Sequence, residues 1–214
     1  AAGVAINLGT GTASGGDATG DTLVGFYDVI GSGLNDSLTG NSGANDLYGA
    51  AGDDFLDGGA GNDRLYGGTG NDTLKGGTGS DSLDGGSGID LADYSGSGSA
   101  VNVTVNGTGS GGDAAGDSLS GIENLQGSSY NDTLTGDSGD NYLYGGAGND
   151  VLYGGIGDDT LAGGAGADTL NGGEGMDFID YSASASAVSV NLNTWTTLYG
   201  DAQGDQLSGV DGII

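Results

Sequence analysis

Side chains with carboxylate or amide oxygens recur at nine-residue intervals in two stretches of the sequence. They are Asp36, Asn45, Asp54, Asp63, Asp72, Asp81 and Asp90, followed by Asp132, Asn141, Asp150, Asp159, Asp168 and Asp177. An isolated Asp in a turn usually hydrogen-bonds only its own backbone. A regular series of oxygen donors instead predicts sites for a hard divalent cation, and a flexible site of high coordination number suits calcium better than magnesium.

A nine-residue unit positions these side chains. Residues 58–84 read GGAGNDRLY, GGTGNDTLK and GGTGSDSLD, with glycine at positions one, two and four, Asp at six and Leu at eight. Glycine adopts positive φ without strain, so the first half of the unit predicts a tight turn whose carbonyl groups crowd together. The x-Leu-x segment has the alternation of a short strand with one inward apolar side chain. Turn and strand, repeated, predict a coil.

This pattern resembles the RTX calcium-binding repeat, which forms a β-roll. The resemblance implies an all-β fold, a parallel β-roll or β-solenoid stabilised by calcium. It also implies that two units complete one coil, so that residues eighteen apart stack on one edge. Bare carboxylates stacked about 5 Å apart would repel by roughly 3 kcal/mol at a near-surface dielectric, and a cation between them reverses the sign.

The stacking places the oxygen-bearing side chains in columns on two edges. One edge carries Asp36, Asp54, Asp72 and Asp90, then Asp132, Asp150 and Asp168. The other edge carries Asn45, Asp63 and Asp81, then Asn141, Asp159 and Asp177. Counting the gaps between stacked members predicts about nine core calcium sites. Mid-column ligands should matter more than terminal ones, which have a neighbour on one side only.

The repeats divide the chain into five segments. Residues 1–30 form a connector, 31–94 a block of seven units, 95–126 a second connector, 127–181 a block of six units, and 182–214 a connector that begins a third module. GGDATGDTL from Gly15 recurs as GGDAAGDSL from Gly111, which indicates duplication. The connectors alternate polar and apolar residues, so we expect wider coils that continue the solenoid, with flexibly linked beads as the alternative.

Leucine at position eight predicts an inner apolar ladder. Its members are Leu38, Leu47, Leu56, Leu65, Leu74 and Leu83, then Leu134, Leu143, Leu152, Leu161 and Leu170, with Ile179 last. Tyr48 and Tyr66 share position nine eighteen residues apart, so they should be neighbours on an outer face. That pair is either a platform for a glycan or lateral contact, or an ordinary pair of exposed strand aromatics.

The connectors hold further acidic residues that either bind calcium or occupy solvated turns. These candidates are Asp17, Asp21, Asp113, Asp117, Asp201 and Asp205. The pattern around them does not decide between the two interpretations.

Composition excludes several classes of function. With thirty acidic and two basic residues, the chain has a net charge of −28, which excludes a nucleic-acid partner on electrostatic grounds. Neither His nor Cys is present, so histidine-dependent triads, HExxH metal sites and cysteine nucleophiles cannot form. No apolar run approaches the ~20 residues of a membrane span. We therefore expect no catalysis in these residues.

Two functions remain open. The first is a calcium-binding structural segment of a secreted extracellular protein, such as an adhesin, a surface layer, a matrix component or a filament, with further copies joined end to end. The second is the calcium-triggered secretion and folding tail of an enzyme or toxin whose catalytic domain lies elsewhere. The family resemblance implies type I secretion and folding outside the cell in both cases. The duplicated block favours the first.

Overall fold

A computed structural model describes residues 2–214, and nearly all of its regular structure is β. Most strands are three or six residues long, as expected for one short strand per nine-residue unit. The first thirteen are β1 Ala5–Asn7, β2 Thr12–Ser14, β3 Asp28–Ile30, β4 Ser37–Thr39, β5 Asp46–Ala51, β6 Phe55–Ala60, β7 Arg64–Thr69, β8 Thr73–Thr78, β9 Ser82–Ser87, β10 Leu91–Asp93, β11 Asn102–Thr104, β12 Gly109–Ser110 and β13 Ser118–Ser120.

The second half of the chain repeats this series of short strands. They are β14 Asn124–Gln126, β15 Thr133–Thr135, β16 Tyr142–Ala147, β17 Val151–Ile156, β18 Thr160–Ala165, β19 Thr169–Glu174, β20 Phe178–Ile179, β21 Ser189–Asn191, β22 Thr196–Leu198, β23 Gln206–Ser208 and β24 Gly212–Ile213. Three short 3-10 helices lie in the connectors, at Gly16–Ala18, Gly112–Ala114 and Gly200–Ala202. Within residues 2–214, no helix has the length and apolar content to cross a membrane.

The chain forms two compact units. Unit 1 comprises the chain to Asp93 together with Asn106–Ile122, and unit 2 comprises Tyr94–Val105 together with Glu123–Ile214. Each unit therefore combines one block of repeats with stretches of connector.

Unit 1 is a parallel β-solenoid with two ladders of strands. One ladder runs β1, β4, β6, β8, β10, and the other runs β3, β5, β7, β9, β13. The register is eighteen residues from rung to rung within the block, as in the pairing of Leu47 with Leu65. Connector strands extend the ladders at their ends, since Ile6 pairs with Leu38 and Leu119 pairs with Leu83.

Unit 2 repeats this construction with its own two ladders. One runs β14, β16, β18, β20, β24, and the other runs β11, β15, β17, β19, β23. Leu143 pairs with Leu161 at the same spacing of eighteen residues. The connector strand β11 stacks on β15, and β23 stacks on β19. The sequence-based prediction of a parallel β-roll is confirmed.

The predicted leucine ladder forms the core. Every member of both series, from Leu38 to Leu83 and from Leu134 to Ile179, is at most 1 % exposed. Burying one such side chain contributes roughly 2 kcal/mol, so the stack of leucines is the main apolar contribution to each unit. On the outer face, Tyr48 and Tyr66 stack with ring centroids 4.6 Å apart and planes 4° apart. Their predicted adjacency is confirmed.

The turns require glycine because successive coils approach each other closely there. Gly70 has φ +128°, and a Cβ on it would collide with the carbonyl group of Gly52 in the coil eighteen residues earlier. Both the dihedral angle and the space therefore exclude a side chain at Gly70, the fourth position of its unit. Ala50 has φ +85° at a second position, an uncommon conformation for a residue with a Cβ.

The connectors contain elements that the nine-residue units lack. The segment beginning at Gly15 folds into a 3-10 helix rather than a repeat turn, and Leu23 lies outside the named strands. The equivalent segment from Gly111 combines both features, because its 3-10 helix is followed by β13, which joins a ladder. The connectors also contain two antiparallel hairpins, β1–β2 and β21–β22.

Candidate metal centres

The turns bury every oxygen-bearing side chain of the columns. From Asp36 to Asp90 and from Asn141 to Asp177, these residues are at most 4 % exposed, and Asp132 is 1 % exposed. Carboxylates are almost never buried to this extent without a partner. The glycine turn folds back over position six, which is why the side chain points into the turn rather than into solvent.

Hydrogen bonds confirm that positions eighteen apart stack. The backbone N–H of Asp54 donates to Oδ1 of Asp72 at 2.8 Å, and the N–H of Asp72 donates to Oδ1 of Asp90 at 2.7 Å. The same bond joins Asp63 to Asp81 and Asp150 to Asp168. One oxygen of each inner carboxylate therefore fixes the register between neighbouring coils.

The other carboxylate oxygen has a different environment. Oδ2 is buried and accepts no hydrogen bond from any residue between 2 and 214 in Asp54, Asp63, Asp72, Asp81, Asp150, Asp159, Asp168 and Asp177. Leaving a buried acceptor unsatisfied costs about 1–3 kcal/mol, and more when the group is charged. A repeated cost of this kind indicates that the oxygen has a partner other than the protein.

A carbonyl oxygen from the next coil faces the same space. A Cβ placed on Gly67, the first glycine of its unit, would meet Oδ2 of Asp72 and the carbonyl oxygen of Gly85, the latter at 2.6 Å. Gly58 has the equivalent neighbours, Oδ2 of Asp63 and the carbonyl oxygen of Gly76. The first glycine thus leaves room for oxygens from two stacked coils to converge, and this donor set fits calcium.

Carboxylates alone do not complete a site. Across residues 2–214, no cluster of three or more acidic side chains is positioned to hold a metal ion. Each gap between coils offers two aspartates at most, so backbone carbonyl groups must supply further ligands, as is usual for calcium.

Burial also changes the titration of these groups. Desolvation raises the pKa of Asp54, Asp63, Asp150 and Asp159 from 3.8 to about 6, and that of Asp168 to about 7. The backbone N–H bond to each carboxylate lowers its pKa in part, while neighbouring carboxylates raise it further. A cation nearby would favour the charged form and oppose these shifts.

The columns on one edge begin with a carboxylate that protein donors satisfy. Asp36 accepts the N–H of Val4 at 2.6 Å and the hydroxyl of Ser32 at 2.9 Å, together with the N–H of Ser32. Asp132 repeats this arrangement with Val101 and Ser128. Both serines stand where the inner units have the second glycine.

The columns on the other edge begin with an amide. Oδ1 of Asn45 accepts the N–H of Asn41 at 2.8 Å, and Nδ2 donates to the carbonyl oxygen of Tyr27 at 2.7 Å. Asn141 bonds in the same way to Asp137 and to the carbonyl oxygen of Glu123. Both polar atoms of each asparagine have protein partners, and calcium ligation by these residues stays a prediction.

The connector candidates fall into two groups. Asp117 and Asp205 join the columns, because Oδ1 of Asp117 accepts the N–H of Asp81 at 2.8 Å and Oδ1 of Asp205 accepts that of Asp168 at 2.9 Å. Oδ2 of Asp205 also accepts the hydroxyl of Tyr181 at 2.7 Å. The structure does not bring the remaining four candidates into the columns: Asp17, Asp113 and Asp201 lie in the 3-10 helices, and Asp21 is exposed.

Sequence reasoning missed Asp211, an acidic residue that contacts a column. Asp211 accepts the N–H of Asp177 on Oδ2 at 3.1 Å, although it lies 34 residues further along the chain rather than eighteen. No nine-residue motif surrounds Asp211, so the repeat pattern carries no signal for it. The converging glycine carbonyl groups were expected only in general terms.

Comparison with known proteins agrees with this geometry. The profile of the RTX calcium-binding nonapeptide repeat matches in four copies, at residues 30–65, 57–92, 117–152 and 153–184. A search of curated proteins gave no match. The four matches cover more than half of the chain and include every inner carboxylate of the columns. The chain therefore belongs to the RTX calcium-binding repeat family, and its repeats form a calcium-binding β-roll, a structural repeat domain.

Proposed function

We propose that this chain is a calcium-dependent structural segment of a secreted extracellular protein, of the adhesin, surface-layer, matrix or filament type, and that it folds when it meets calcium outside the cell. The observation that carries the proposal is the series of buried Oδ2 atoms that accept no hydrogen bond from residues 2–214. Each lies beside a first-position glycine in the stacked turns.

The calcium ligands are the inner aspartates of the columns together with carbonyl groups of the turns. A bound calcium ion would neutralise the negative charge of the stacked carboxylates. The protein contributes the spacing, because the eighteen-residue register aligns one carboxylate above another and the N–H bond to Oδ1 holds each side chain in place. Extracellular modules bind calcium with a Kd of about 10⁻⁴–10⁻³ M, which matches the concentration range in which we expect folding.

The energetics support folding that depends on the ion. Most nine-residue units bury a single core leucine, so the apolar core offsets only part of the backbone entropy that folding loses. Ladder hydrogen bonds reduce this deficit, but they do not remove the repulsion between stacked carboxylates. A net charge of −28 adds to the repulsion in the compact state.

Circular dichroism tests the proposal. We expect the strand signal to be weak in a calcium chelator and to appear cooperatively in millimolar calcium, with magnesium at the same concentration as the control. A strand signal that is the same in chelator, in magnesium and in calcium would contradict calcium-dependent folding.

The intact mass of the native polypeptide tests the structural role, because one copy of this module beside a catalytic domain would favour a secretion tail.

A further inference from the structure

The second block ends on a buried carboxylate whose next coil is not a repeat. Asp177 is 0 % exposed, and its Oδ2 accepts no hydrogen bond from the described residues, 2–214. A Cβ on Gly172, the first glycine of this last unit, would lie against Oδ2 of Asp177 and the carbonyl oxygen of Gly209. The carbonyl oxygen of Gly209, in the connector, therefore faces the carboxylate of Asp177. Inside the first block, the carbonyl oxygen of Gly85 faces the carboxylate of Asp72 in the same way.

Asp211 supplies the second carboxylate at this position. The N–H of Asp177 donates to Oδ2 of Asp211 at 3.1 Å, which matches the bond that stacked repeat aspartates make to each other. The N–H of Asp211 returns a bond of 2.8 Å to the carbonyl oxygen of Asp177. Strand β24 explains the alignment, because its residues Gly212 and Ile213 pair in parallel with Phe178 and Ile179 of β20.

We propose that Asp177, Asp211 and the carbonyl group of Gly209 form a calcium site outside the nonapeptide pattern, which fastens the C-terminal connector to the second block. The inference rests on the proposed function, since it requires that the repeat sites bind calcium. The buried, unsatisfied Oδ2 of Asp177 points to a ligand independently of the cluster of acidic groups. Asp211 itself is exposed, so this ion should exchange with solvent more readily than those between repeats.

Counting the bound ions tests this site. Native mass spectrometry of the full chain at saturating calcium should show one ion fewer in Asp211→Asn than in the unsubstituted protein. Asparagine keeps the oxygen that accepts the N–H of Asp177, and far-UV circular dichroism should report the same fold. Glu174→Gln is the matched control, because Glu174 is an exposed acidic residue of the same last unit that lies outside the columns, and this variant should bind as many ions as the unsubstituted chain.

The outcomes separate the two proposals. If the unsubstituted chain binds no calcium, the proposed function fails. If it binds calcium and Asp211→Asn binds the same number of ions, this site is refuted. An ion lost from Glu174→Gln as well would also refute it, because the loss would then reflect the removal of acidic charge in general. If Asp211→Asn unfolds, Asp211→Glu decides the question. A folded Asp211→Glu chain that binds the full number of ions supports ligation by residue 211, and unfolding of this variant as well overturns the proposed site.

Discussion

Gly67→Ala tests whether the first glycine of a unit makes room for an ion. The added Cβ would lie 2.6 Å from the carbonyl oxygen of Gly85 and would also contact Oδ2 of Asp72. Gly67 does not have positive φ, so backbone strain is not the cause of any effect. The methyl group would occupy the space between two groups that we assign to calcium.

The size of the effect follows from two costs. Overpacking costs about 1–3 kcal/mol, and losing one ion costs about 2.7 kcal/mol when calcium exceeds its Kd 100-fold. Shared among the roughly five ions that we predict for the first block, a total of about 5 kcal/mol is about 1 kcal/mol per ion. The calcium midpoint of folding should therefore rise about fivefold, since 1.4 kcal/mol corresponds to a factor of ten.

The assay is a calcium titration followed by far-UV circular dichroism, with Gly33→Ala as the matched control. A Cβ on Gly33 meets nothing within 4 Å and its φ is not positive, so the same substitution should leave the midpoint unchanged. Equal midpoints for Gly67→Ala and Gly33→Ala would refute the role of the first glycine.

Three further outcomes are expected. Asp72→Asn should raise the calcium midpoint of folding more than Asp36→Asn does, because Asp72 faces a coil on each side whereas protein donors satisfy Asp36. Equal midpoints for the two variants in a calcium titration would contradict stacked sites. In chelator, lowering the pH from 8 to 5 should increase the strand signal. Carboxyl groups with a pKa of about 6 to 7 in the folded state bind protons that the unfolded chain, with a pKa near 3.8, does not bind, so protonation stabilises the fold and this stability is lost as the pH rises through 6 to 7. A strand signal that stays flat or falls on acidification would contradict this prediction. Asn45→Asp should destabilise the calcium-bound protein by about 1–3 kcal/mol in urea unfolding, because a carboxylate cannot donate a hydrogen bond to the carbonyl oxygen of Tyr27. A gain of stability together with one extra bound ion would refute this prediction.

The repeat made most of the fold predictable. Each unit imposes the same turn and the same inward leucine, so the eighteen-residue register and the burial of residues such as Leu65 and Leu152 follow from one pattern. The stacking of inner aspartates follows from the same register. These features were accessible because every unit contacts only its neighbours, which have the same sequence pattern.

The ends of the columns were not predictable in the same way. Asn45 was grouped with the aspartates by position, but its amide nitrogen donates to a connector carbonyl group that no repeat contains. Asp117 and Asp205 could not be separated from Asp113 and Asp201, because the difference depends on where each 3-10 helix ends and the following strand begins. The position of Asp211 depends on the pairing of β24, a two-residue strand without a periodic signal.

The first residue of a column and the later residues differ in whether they need a cation. At its start, Asp132 accepts bonds from Val101 and Ser128, so the first coil of the second block can form with its acceptors satisfied by the protein alone. Further along, Asp150 and Asp168 each keep a buried oxygen that accepts no hydrogen bond from residues 2–214, and their raised pKa values record the cost of charging them in this environment. Each added coil therefore needs either a proton or a metal ion. At neutral pH protons neutralise Asp150, with a pKa of about 6, and Asp168, with a pKa of about 7, only in part. We therefore propose that growth of the solenoid from its satisfied end is coupled to calcium.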